Sequence, residues 1–144
     1  MSWPKPEPGL VVRYSYLCSR EAALGREEGS KDRPCAIILA ARQGEGDFVY
    51  VLPVTHSPPQ SPGDAIEIPP ATKARLGLDT ERSWVVLTET NAFVWPGPDL
   101  RFLPGGGPET LAYGMLPPAF FREVRDRFVA GVRARRSRVT RRTE

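Results

Sequence analysis

The chain has 144 residues, 40% of them hydrophobic and 26% charged, enough for one domain with its own core and with no segment of membrane-spanning length. The net charge of +3 is uneven: residues 133–144 carry six arginines against Glu144, net +5, which leaves the rest at −2 and excludes a uniformly basic nucleic-acid surface. Two cysteines, Cys18 and Cys35, have no metal-like spacing and no signal peptide beside them, which points to a reduced, cytoplasmic protein with Cys35 in its core.

The sixteen prolines cluster near 4–8, 53–70 and 96–118 and favour short strands and turns over long helices. After a Pro-rich lead-in, residues 10–17 (LVVRYSYL) are β-branched and aromatic and predict a first strand. Residues 18–32 are charged and Gly-punctuated and predict a mobile loop. Two apolar runs, 35–41 and 48–52, flank a Gly-rich turn and predict a hairpin. Residues 65–68 read as a short strand. Pro69-Pro70 opens a short helix that runs to Leu76 and stops at Gly77. Residues 83–90 (SWVVLTET) predict another strand, which 93–95 continues or pairs with, and 103–107 a flexible loop. Pro117-Pro118 introduces a helix over about 118–134, with Phe120, Phe121, Val124, Phe128 and Val132 as its apolar stripe. The Arg-rich end, 133–144, has no apolar face and is expected to be disordered. The expected fold is mainly β with a C-terminal helix, a small closed barrel over residues 1–132.

The hairpin sets the start of its first strand beside the end of its second. Arg33 and Thr55 therefore meet at one mouth of the sheet, near His56, the only histidine. Cutting RNA with its own 2′-hydroxyl needs a base, an acid and fixed positive donors for the charged phosphorane. Arg33 suits the last, because its planar fork matches phosphate oxygens; its bland alternative is an ion pair with Asp32 or Glu28. Thr55 offers a hydroxyl, and His56 is either an acid–base group or a structural hydrogen-bonder. One geometric objection stands: successive residues of a straight strand face opposite ways, so Thr55 and His56 share a pocket only if the strand ends there. Lys31, Ser57, Asn91, Trp95 and Arg20 are the further RNA-binding candidates. One histidine and two isolated cysteines make no nitrogen–sulfur cage, and no acidic cluster has magnesium-site spacing. No metal or cofactor is expected.

Five landmarks in order resemble the MazF/PemK toxins of bacterial toxin–antitoxin pairs. They are Gly9-Leu10-Val11-Val12, then Arg33-Pro34-Cys35-Ala36-Ile37-Ile38, then Leu52-Pro53-Val54-Thr55, then Ser83-Trp84-Val85-Val86-Leu87, and last Gly114-Met115-Leu116-Pro117. The resemblance implies an SH3-like barrel of the MazF/PemK/CcdB type with a terminal helix, acting as a homodimer. It implies metal-independent cleavage of single-stranded RNA to a cyclic phosphate, under the control of a cognate antitoxin. Arg33 and Thr55 match the family's active-site arginine and threonine, whereas Asn91 stands where a Gln or Arg is usual. The alternative is a non-enzymatic barrel that binds RNA or a protein such as gyrase, as CcdB does. Residues 18–32 join the first strand to Arg33, so they are expected to cross the mouth and gate it.

Overall fold

The computed structural model describes residues 3–17, 31–44, 46–103, 105–134 and 137–142. Among them, eight strands and two α-helices follow in the order β1 (Leu10–Tyr16), β2 (Lys31–Gln43), β3 (Gly46–Thr55), β4 (Ala65–Glu67), α1 (Pro70–Arg75), β5 (Trp84–Val86), β6 (Glu89–Trp95), β7 (Ala112–Met115), α2 (Pro118–Arg133) and β8 (Arg138–Arg141). The fold is mainly β with a C-terminal helix. Its sheet is open rather than closed, running β4-β5-β3-β2-β1-β7, with β6 on β3 and β8 on β6. All pairs are antiparallel except β6 with β8.

Both faces of the sheet carry apolar side chains, which is why β1 reads LVVRYSY rather than alternating with polar residues. On one face Val11, Ala36, Ile38, Leu52, Val54 and Val85 pack with Phe120, Val124 and Phe128 of α2. On the other, Val12, Tyr14, Cys35, Ile37, Val51 and Phe93 pack with Leu100 and Leu111. The α2 stripe thus forms through Phe120, Val124 and Phe128, with Phe121 partly buried, but Val132 is 46% exposed. Gly77, at φ 69°, follows α1 as expected, because a side chain is strained in that left-handed conformation.

Three further expectations change. The expected strand over 83–90 is broken in two. Leu87 donates its N–H to the Asp64 carbonyl, and Thr88 accepts from the Arg138 N–H, so the chain leaves the β3 edge between β5 and β6. As a result β3 pairs with β6 along its first half and with β5 at its end. Secondly, Lys31 and Asp32 belong to β2 and pair with Tyr16 and Ser15, so the expected loop ends earlier. Residues 18–30, with the proposed gate, lie outside the described residues. Thirdly, residues 138–141 of the supposedly disordered end form β8 on β6. The backbone hydrogen bonds of an open sheet edge, together with Arg142, hold this segment without an apolar face.

Candidate functional site

The register of the β2–β3 pair, which sets Cys35 opposite Pro53, carried two residues further puts Arg33 across from Thr55. Both line a cavity of about 520 Å³ at the end of the sheet. β1 contributes Arg13, the segment after β3 contributes His56 and Ser57, and α1 with the loop behind it contributes Lys73, Leu78, Asp79 and Ser83. Tyr113 of β7 closes one side.

The chain turns as β3 ends: the Ser57 N–H donates to Thr55 Oγ1 at 3.1 Å. That turn answers the objection from strand alternation, because Thr55 and His56 line the same cavity. His56 Nε2 lies 2.8 Å from Asp79 Oδ2. Lys73 is 5% exposed, and its ammonium donates to Asp79 Oδ1, to the Glu81 carbonyl and, at 2.6 Å, to Ser83 Oγ. Hydrogen bonds from Lys73 and then His56 hold the Asp79 carboxyl below the usual carboxylate range, against the opposing effect of desolvation.

The guanidinium groups supply the positive wall. Of the two carboxylates in the alternative reading of Arg33, Asp32 instead faces Arg101, its Oδ1 3.6 Å from Nε, and Glu28 lies outside the described residues. Arg33 Nε is buried without a hydrogen-bond partner among the described residues, and so is Arg13 Nε. Arg13 lies with its Cζ 4.7 Å from the centre of the Tyr113 ring. Burial pushes the Tyr113 phenol above its usual range. Two guanidinium groups that line one cleft are suited chemically to an anion such as a phosphate.

Among the described residues, His56, Asp79 and Glu81 form the one group of potential metal ligands, with ligand atoms within 4.8 Å. Sequence spacing concealed this cluster. All three are exposed, and both oxygens of Asp79 are already engaged, one by Lys73 and the other by His56. A cation bound there would compete with an ammonium, so the donor set fits a metal poorly.

Asn91 and Trp95 leave the site. Asn91 is fully buried; its amide donates to the Leu17 carbonyl at 2.8 Å, and its Oδ1 accepts from the Leu17 N–H at 2.9 Å. It is a backbone clamp, and no RNA base reaches it. Trp95 is buried, stacks near Phe93 and donates to the Pro4 carbonyl. Tyr14 and Trp84 are buried as well. Lys31 sits at the start of β2, but its side chain, like Arg20, lies outside the described residues.

Arg13, Lys73, Asp79 and Tyr113 are cavity residues that sequence reasoning missed. For Arg13 a signal existed, as the one cation inside the first apolar strand. Set against known proteins, the chain matches no family model and no curated protein.

Proposed function

We propose that this protein is a metal-independent endoribonuclease, the toxin of a toxin–antitoxin pair, built on a small SH3-like barrel of the MazF/PemK type. The observation that carries the reading is the convergence of Arg33, Arg13, Thr55 and His56 on one cavity. The substrate is single-stranded RNA, whose splayed backbone can enter an open cleft where a duplex cannot.

In this reading the scissile phosphate lies between Arg33 and Arg13. His56 takes the proton of the 2′-hydroxyl as O2′ bonds to phosphorus. The P–O5′ bond breaks, and O5′ keeps its electron pair and is protonated by a water at the cavity mouth. The imidazolium returns its proton to water, leaving a 2′,3′-cyclic phosphate and a 5′-hydroxyl. Arg33 and Arg13 stabilise the added charge of the phosphorane, and the Thr55 hydroxyl donates to a non-bridging oxygen. The test is fragmentation of a long single-stranded RNA by the purified protein with chelator present. Intact RNA that still binds would make the protein a binder without catalysis.

The same resemblance supports a homodimer and an antitoxin partner. Both faces of the sheet are packed within the chain, so neither needs a second copy to cover it. Light scattering at micromolar concentration is expected to give twice the 16.0 kDa chain mass. A monomer would count against family-type assembly while leaving the cavity chemistry open to its own test.

A further inference from the structure

We infer that Asp79 and Lys73 are positioning residues for His56: they hold its imidazole as the Nε2–H tautomer and leave Nδ1 as the nitrogen that receives the 2′-hydroxyl proton. The inference rests on the endoribonuclease reading for its last clause only. Its first part follows from the geometry of three side chains.

A carboxylate accepts hydrogen bonds and cannot donate them. Asp79 is held ionised by the Lys73 ammonium, so the 2.8 Å contact between His56 Nε2 and Asp79 Oδ2 places the proton on Nε2. In a neutral imidazole the other nitrogen is then the lone-pair site. Asp79 is itself fixed from behind. The Lys73 side chain is buried, and its three N–H groups meet three acceptors: Asp79 Oδ1, the Glu81 carbonyl and Ser83 Oγ. The Asp79 side chain also accepts from the Glu81 N–H at 3.1 Å. Lys73 rises from α1 and Ser83 immediately precedes β5, so the loop that carries Asp79 is tied to both. Glu81 Oε2 stands 3.8 Å from His56 Nε2, too far for a hydrogen bond but near enough to substitute if Asp79 were removed.

The arrangement does for His56 what a buried carboxylate does for a catalytic histidine elsewhere: it selects a tautomer and an orientation. It also explains a buried lysine beside a cleft meant for an anion. Lys73 spends all three donors on the loop and the carboxylate, and leaves the phosphate to the arginines.

The experiment uses the full chain labelled with ¹⁵N. His56 is the only histidine, so long-range ¹H–¹⁵N spectra at a pH where the ring is neutral report its tautomer without ambiguity. The wild type is expected to show the Nε2–H pattern alone. The double variant Asp79→Ala/Glu81→Ala should show both tautomers, with kcat on RNA lower by roughly 10- to 100-fold and KM unchanged. Lys73→Met should do the same; if it fails to fold, the double variant decides alone. An Nδ1–H pattern in the wild type, or a double variant with the wild-type pattern and kcat, overturns the inference. A changed tautomer with unchanged kcat removes Nδ1 from the reaction and overturns its catalytic half. If the wild type cuts no RNA, the endoribonuclease reading fails. The spectra then still support or sink the positioning on their own.

Discussion

Arg33→Ala is expected to keep the fold and to lower RNA cleavage by roughly 10²–10³-fold, the usual loss when one fixed donor to a charged transition state is removed. The fold should not depend on this side chain. Its Nε has no partner among the described residues, and the neighbouring carboxylate of Asp32 serves Arg101 instead. The Cys35 Sγ contact at 3.6 Å goes to the Arg33 backbone carbonyl and survives the substitution. Arg33→Lys should recover little, because an ammonium lacks the planar pair of donors that grips two phosphate oxygens. Cleavage rates on a labelled RNA, with circular dichroism as the fold control, check both variants. Wild-type rates in a folded Arg33→Ala protein would take this residue out of the site.

Arg142→Ala should have the largest effect on stability, about 3 kcal/mol or roughly 10 °C in Tm. Its side chain is 1% exposed, and it binds Asp99 Oδ2 at 2.9 Å, the Ser15 carbonyl at 2.9 Å and Asn91 Oδ1 at 3.1 Å. Truncation would leave a buried carboxylate without this cation, together with two acceptors that have lost a donor. Because Asn91 in turn clamps the backbone of Leu17, the loss should spread along β1. Thermal unfolding followed by circular dichroism measures the effect. A shift of a degree or less would mean that the last strand carries no structural weight.

The sheet and closing helix were legible because their signals are local. Pro117-Pro118 marks the start of α2, and β-branched runs mark β1 to β3. The hairpin register brought Arg33 and Thr55 to one cavity without any knowledge of the rest. What stayed hidden depends on contacts between distant parts of the chain. Asp79 reaches His56, and Lys73 reaches Asp79, across gaps in the chain that nothing in their spacing announces. Asn91 reads as an RNA-binding candidate from sequence because its burial by Leu17 and Arg142, 74 and 51 residues away, leaves no periodic trace. The Arg-rich end misled for a related reason. Composition treats arginine as solvated, whereas a sheet edge and one buried carboxylate give this segment bonds that composition does not register.

The most direct measurement is the product chemistry of a long single-stranded RNA incubated with purified protein and excess EDTA. Defined fragments should accumulate, each with a 2′,3′-cyclic phosphate at one new end and a 5′-hydroxyl at the other, at a rate unchanged by the chelator. RNA that stays intact until magnesium or zinc is supplied, or fragments that end in 5′-phosphates, would contradict cleavage by this cavity.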